Sequence, residues 1–365
     1  MDFKEISLLE PLELINFLMS IGLLYRTCIC TKCKIECKLR KRQTPEKYSW
    51  RCTKCSTFYS VKSGSFFEQF KLSIINVLEI VDYWAKDRKQ ADMHESLKIS
   101  RPSIFKICHL LRQLCFLDLD KENFKVGGKN SIVEIDESVF NKVKYNKGKD
   151  MIHMTKNKQI WVFGIRERIS KKVFFQAVNN RKENTLIPII QKHILPDSII
   201  YSDMWKSYDS IAYLPQNYKH FSVNHSKEFV DKRTGCNTNS IESVWLKCKS
   251  KIRQMQGVNR LYLQENLDEV MWRHNECGIV HKCQYKYSRR LVFNKILNLM
   301  QINNMKRLEE RMEEVENEHK LHNRIKNIEK LFENDFKDLV SRSTQTEASS
   351  FDYKVKRKKE NLEFE

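Results

Sequence analysis

No run of eighteen apolar residues occurs in the chain, so no segment is expected to cross a bilayer as a helix. The first residues bring acid where a secretory leader would bring base, and no signal peptide is expected. No internal repeat is found. Negative charge is in shortest supply: 46 Asp and Glu stand against 66 Lys and Arg, a formal net charge of +20. Such an imbalance is out of character for a metabolic enzyme and points to a polyanion, with nucleic acid ahead of a membrane surface. What the chain does have is size and apolar content. Its 365 residues, 41% hydrophobic, suffice for two or three domains with a proper core.

The 12 cysteines do not read as a disulfide framework. Cys28, Cys30, Cys33, Cys37, Cys52 and Cys55 crowd one short segment and the others are scattered, as in a reducing compartment with a metal site. Cys30-x2-Cys33 and Cys52-x2-Cys55 are two equal knuckles, the spacing of a zinc ribbon in which four thiolates hold one structural Zn²⁺. The bland alternative is a set of unrelated buried thiols. Cys28 and Cys37 are left over, and either could replace a chosen ligand. Lys32, Lys34, Arg40, Lys41 and Arg42 would then face phosphates.

Residues 8–24 carry helical apolar spacing. A helical region covers 72–85 and the stretch "KQADMHESLKISRPSIFKICHLLRQLC", where Ser100 as N-cap and Pro102 in the first turn mark a helix start and suggest a helix-turn-helix. "GGKN" at 127–130 marks a boundary. Beyond it "SIVEIDESVF", "IWVFGIRERI" and "KVFFQAVNN" read as an antiparallel meander. A helix around "TLIPIIQKHI", strands at "SIIYS" and "HFSVNH", and a long helix from about Asn239 to Gln256 follow. The expected organisation is 1–70 as N-terminal helix and ribbon, 71–126 as a helix-turn-helix-like DNA-binding region, 131–280 as an α/β domain, and 281–365 as a charged helical region. In the last, Met305, Leu308, Met312 and Val315 form a short heptad seam, and Lys354, Lys356, Arg357, Lys358 and Lys359 read as a nuclear import signal or a solvated charge run.

Three carboxylates, Glu134, Asp136 and Glu137, interrupt a strand otherwise built for a core. Asp203 ends a short apolar strand, and Glu242 opens the long helix. Two strands and a helix can bring Asp136, Asp203 and Glu242 to one sheet face, and three acids there suit two divalent cations, Mg²⁺ or Mn²⁺, for in-line phosphoryl displacement. Each acid has a plainer use. Asp136 with Glu134 could be the wet face of a strand, Asp203 a helix cap, and Glu242 the partner of a capping Asn239. On the helix, Ile241, Val244, Trp245, Cys248 and Ile252 make an apolar stripe beside which Glu242, Lys249 and Arg253 share a face. Lys249 there is placed to hold a DNA phosphate, if it is not a solvated lysine. Glu134 shares the face of Asp136, and Glu137, on the opposite face, is given no role.

"VEIDES", "NR...TLIPII", "YSDMWKSY" and "VNHSKEFVD...TGCNTNSIESVWLKCK", with the cysteine ribbon and "GSFF" upstream, resemble the Merlin superfamily of DDE transposases and the related bacterial ISXO-type insertion-sequence transposases, over about residues 20–280. The resemblance implies a ribonuclease H-like mixed-sheet core in which Asp136, Asp203 and Glu242 bind metal, with Lys249 as the basic position of the helix. Some bacterial relatives carry Asn as third ligand, which makes Asn239 a competitor, and Asn224, His225 and Asn237 become candidate wall residues. The implied function is cut-and-paste DNA transposition, acting on terminal inverted repeats and target DNA as a homo-oligomer, in the nucleus of a eukaryotic host. Arg253, Lys41 and Arg42 join Lys249 as expected DNA contacts. Rival readings are a DNA-binding regulator that kept the scaffold and lost catalysis, and a nuclease without strand transfer. A second metal site at His274, Cys277, His281 and Cys283 is disfavoured, because these ligands lack a repeated spacing.

Overall fold

The structure, a computed structural model, describes residues 2–140, 160–227, 229–255, 260–281, 284–318 and 320. One compact unit comprises 1–142 and 159–312; of the other, 143–158 and 313–365, only 313–318 and 320 are described, and these are helical. The basic cluster at 354–359 lies outside the described residues, as do the side chains of His281 and Cys283.

Two short helices, α1 (Phe3–Ser7) and α2 (Pro11–Ser20), precede a three-stranded antiparallel sheet of β1 (Cys37–Lys41), β2 (Tyr48–Cys52) and β3 (Phe58–Tyr59). Three helices follow: α3 (Ile74–Ala85), α4 (Gln90–Leu97) and α5 (Arg101–Asp118). Helix α4 stops at Lys98, which takes a left-handed conformation (φ 56°), and Ser100 with Pro102 in the first turn restarts the chain as α5. From Ile107 to Cys115 every residue of α5 is buried, because α8 and α9 close over it; the exposed residues lie at its ends, Arg101, Pro102, Phe105 and Lys106 in the first two turns and Asp118 at the last position.

The pair β4 (Val126–Gly127) and β8 (Ile194–Leu195) brackets the main sheet. That sheet contains β5 (Ile132–Phe140), β6 (Ile160–Glu167), β7 (Val173–Val178), β9 (Ile199–Asp203) and β10 (Lys219–Val223), in the order β10-β9-β5-β6-β7. The first three strands are antiparallel and the last two parallel. A central first strand, a meander on one side and two crossovers on the other make a ribonuclease H-like core. Helix α6 (Glu183–His193) supplies the crossover from β7 to β9. Helices α7 (Asn239–Gln254) and α8 (Leu263–Cys277) pack on the sheet, α7 against β5 and β6 and α8 against β7. All five residues of the expected α7 stripe are buried.

The chain ends its described course in the hairpin β11 (Gly278–His281) and β12 (Gln284–Tyr287), helix α9 (Arg289–Leu299) and a helical segment over 305–318. Met305 and Leu308 of the expected seam are buried in the main core, with Met312 packed against it. Those three residues serve the core of their own chain rather than a coiled coil. Among the described residues no helix is long and apolar enough to cross a membrane.

Candidate active site

Sheet register places the first two acids. Parallel pairing sets Ile132, Val133 and Glu134 of β5 beside Ile199, Ile200 and Tyr201 of β9. The pairing ends there, and two residues further along the strands stand Asp136 and Asp203, close enough for the charge of Asp203 to act on Asp136. This is the carboxyl end of the parallel pair, where open α/β sheets carry their sites. On its other side Asp136 faces Gly164 of β6. That glycine is dictated by contact: a Cβ there would meet Trp245 Cζ2 at 2.4 Å and Cη2 at 2.7 Å. The room left by Gly164 admits the indole, whose Nε1–H donates to Asp136 Oδ2 at 3.0 Å.

Glu134, fully buried, accepts from Arg168 Nε at 2.6 Å and from the Ile241 amide at 2.9 Å, so it ties down the first turn of α7. Arg168 in turn donates to the Asn237 carbonyl at 3.1 Å and side-chain oxygen at 2.8 Å. The helix cap position is Thr238, not Asn239, whose side chain is exposed and whose carbonyl accepts from Ser243. Glu242 Oε1 accepts from the Thr238 hydroxyl at 3.2 Å and lies 3.7 Å from His225 Nε2, with 45% of its side chain exposed. Asn224 is held in its own turn, accepting from Ser226.

Glu137 is the acid that strand alternation leaves without a role. It does occupy the opposite face from Asp136, but charge acts through the strand. Asp136 is pushed up to about 7, first by burial and then by Glu137 and Asp203. Glu137 is pushed up to about 7 by burial with a further rise from Asp203, against the pull of Tyr208 and Arg181. Three carboxylates, Glu137 buried and Asp136 and Asp203 half-buried, therefore share a corner in which further negative charge is resisted. Glu242 stands apart. Among the described residues the four ribbon thiols are the one group of three or more Cys, His, Asp or Glu whose ligand atoms all lie within 4.8 Å, so Asp136, Asp203 and Glu242 do not close to that separation.

Lys249 Nζ sits 5.6 Å from the Phe140 ring centroid at the far end of β5, on the α7 flank that also carries Glu242. Arg253 is exposed and donates to the Lys249 carbonyl at 3.2 Å.

In the ribbon, Cys30, Cys33, Cys52 and Cys55 meet as expected. Each knuckle closes the same way. The Cys33 amide donates to Cys30 Sγ and the Cys55 amide to Cys52 Sγ, both at 3.4 Å, and the next residues, Lys34 and Ser56, both turn left-handed at φ 58°. Tetrahedral Zn²⁺ with Zn–S near 2.3 Å needs sulfurs roughly 3.8 Å apart, a spacing that this cluster can meet. Hydrogen bonds to Thr57 hold the Cys55 thiol down at about 6, which favours thiolate. Burial pushes Cys37 up to about 11, and the Cys55 thiol beside it pushes Cys33 up to about 12, so it is the meeting of sulfurs and not their protonation that sets the four ligands apart. On the ribbon surface Lys41 and Arg42 are exposed, with the Arg42 guanidinium 4.3 Å over Phe58.

A family model of the ISXO2-like transposase domain matches residues 126–275. An uncharacterised transposase-like protein of Haemophilus influenzae is 32% identical over 121 residues, 33% of this chain and 94% of the relative. The chain belongs to the ISXO2-like transposase family. Among solved structures, the transposase-family chain is similar to a simian T-cell lymphotropic virus intasome bound to a PP2A regulatory subunit (TM-score 0.30, 11% identity, 60% of this chain and 74% of the other). It is also similar to the HTLV-2 integrase catalytic core solved with magnesium (TM-score 0.26, 11% identity, 42% and 90% covered). Likenesses this loose say nothing of chemistry, and the strand order is what marks the core as ribonuclease H-like.

Proposed function

We propose that this transposase-family chain is a cut-and-paste DNA transposase, which hydrolyses a phosphodiester at the ends of its element and joins the freed 3′ hydroxyl to target DNA. The observation that carries the reading is the nearness of Asp136 to Asp203 at the ends of two parallel strands, across from the α7 flank that bears Glu242 and Lys249. Two divalent cations, Mg²⁺ or Mn²⁺, would supply charge stabilisation at the attacking and leaving oxygens. The donors suit them: hard carboxylate oxygens, those of Asp136 and Asp203 crowded with Glu137 in a half-buried corner where each raises the other's charge cost. Asp136, Asp203 and Glu242 are the proposed ligands, with Trp245 orienting Asp136 and with His225 and Thr238 holding Glu242. Lys249 and Arg253 hold phosphates beside the scissile one. The ribbon, with one structural Zn²⁺ on Cys30, Cys33, Cys52 and Cys55, offers Lys41 and Arg42 to DNA, and the first turns of α5 add Arg101 and Lys106. The protein acts as a homo-oligomer and, in a eukaryotic host, in the nucleus.

The test is divalent-metal-dependent cleavage of DNA carrying the terminal inverted repeat that flanks the gene. Cleavage in Mg²⁺ or Mn²⁺ by the natural chain, lost in Asp136→Ala with DNA binding retained, is the expected result. Tight binding with no cleavage in either metal would overturn it. That outcome belongs to the scaffold-only reading, a DNA-binding protein without catalysis, which the engagement of Glu242 with Thr238 and His225 favours.

A further inference from the structure

On the side of the sheet opposite α7, the loops after β7 and β9 build an assembly that none of the roles above uses. The Arg181 guanidinium lies between two indoles, 3.9 Å from the Trp161 ring centroid and 4.0 Å from that of Trp205. Trp161 belongs to β6 and faces Val139, on the same side of the sheet as Glu137. Trp205 stands two residues beyond Asp203, and its amide donates to Asp203 Oδ1 at 3.1 Å. The Arg181 carbonyl locks the arrangement by accepting from Trp205 Nε1 at 2.9 Å and from the Ser207 hydroxyl at 2.7 Å.

A stack that served packing alone would be covered. Here Trp205 remains 36% exposed and its neighbour Met204 62% exposed, directly beside a carboxylate of the candidate active site. A fixed, partly open indole is suited to stacking on a flat ring, and the guanidinium behind it raises its attraction for a π system next to phosphate. Bases inside a duplex are already stacked, so only an unpaired base can use it.

We propose that Trp205, braced by Arg181 and flanked by Met204, is a stacking subsite for an unpaired nucleobase of the DNA strand held at Asp136 and Asp203. The inference rests on the DNA reading of that site, and it adds that the strand end is frayed when bound. Arg181 is a positioning residue, acting through the indole.

The experiment compares a blunt duplex with a forked one whose short unpaired 3′ tail carries 2-aminopurine, both binding the full chain without added divalent cation. The natural chain should bind the fork more tightly by roughly 5- to 100-fold and quench the tail fluorophore. Trp205→Ala should bind both duplexes alike without quenching, while Trp205→Phe, which keeps a ring, should retain most of the preference. Equal affinity of the natural chain for both duplexes, or an undiminished preference in Trp205→Ala, would overturn the subsite. This comparison reads binding and fluorescence alone, and cleavage is scored separately in the divalent-metal assay of the terminal repeat. A chain that discriminates forks through Trp205 but never cuts DNA would refute the transposition reading and leave the subsite standing, and one that cuts without discriminating would do the reverse.

Discussion

In the ribbon, two residues between each pair of cysteines bring the thiols together, and a left-handed residue closes each knuckle. In the sheet, Asp136 and Asp203 become neighbours only after a meander and a helical crossover have put β9 beside β5. The first site is assembled by local turns, the second by strand register. The local site is complete, with four sulfurs within 4.8 Å, whereas in the sheet Asp136, Asp203 and Glu242 stay further apart than that. A site made of turns can be finished by the chain alone. One made of register depends on elements far apart in the chain, here β5, β9 and, on the proposed reading, the helix that bears Glu242.

The sharpest way to break this comparison is at the acids. Asp136→Ala and Asp203→Ala should each reduce end cleavage by about 10³-fold or more, since several kcal/mol of transition-state stabilisation go with the carboxylate. Retained cleavage by either would remove the sheet site. Glu242→Ala should match them if the helix completes the site; loss in Asn239→Ala instead would move the third ligand by one turn. Next in size is the ribbon. Cys52→Ser should abolish binding of one zinc per chain, read by elemental analysis, and weaken DNA binding; zinc-free folded natural protein would contradict the ribbon as a metal site.

A smaller effect is expected where register meets packing. Gly164→Ala sets a methyl against the Trp245 ring and should cost about 1–3 kcal/mol in a denaturant titration, with a fall in cleavage as Asp136 loses its indole partner. Unchanged stability and rate would mean that Trp245 has room to move. The smallest concerns acid. Burial holds His274 of α8 down at about 4, where its Nε2 meets the Lys171 carbonyl at 2.8 Å. A histidine whose folded value lies below its unfolded one resists protonation in the folded state, so stability should decline as pH falls from about 6.5 towards 4, by about 1–3 kcal/mol. His274→Asn should flatten that slope in melting curves; a slope unaltered by the substitution would place the sensitivity elsewhere.

Much of this was legible in the sequence where the signal is local. The knuckles, the strand "SIVEIDESVF", the buried stripe of α7 and the ordered acids can all be read along the chain. What could not be read came from residues that meet across the sheet. Glu137 looked idle because alternation puts it on the wrong face, yet its charge reaches Asp136 and Asp203. Gly164 is a lone glycine in a strand until its place opposite Asp136 and against Trp245 is known. Trp205 and Arg181 both lay within stretches that carry the family resemblance, but their stacking is a fact of two loops and no spacing announces it. Asn239 as the cap of α7 is the plainer use the sequence leaves open for this turn; the cap position is Thr238, whose hydroxyl makes no capping bond and donates to Glu242 instead.

The junction between Gly22 and Ile302 has a consequence for how the chain comes off the ribosome. The Ile302 amide donates to the Gly22 carbonyl at 3.0 Å, Gln301 Nε2 to the Ile21 carbonyl at 2.9 Å, and α9 lies against α3 and α5. The chain must therefore be synthesised past Ile302 before the end of α2 is satisfied and the face of α5 is covered. A chain cut short after the sheet would have its five strands made but would lack the helices that pack on α3 and α5, and is expected to be a product for proteases to clear.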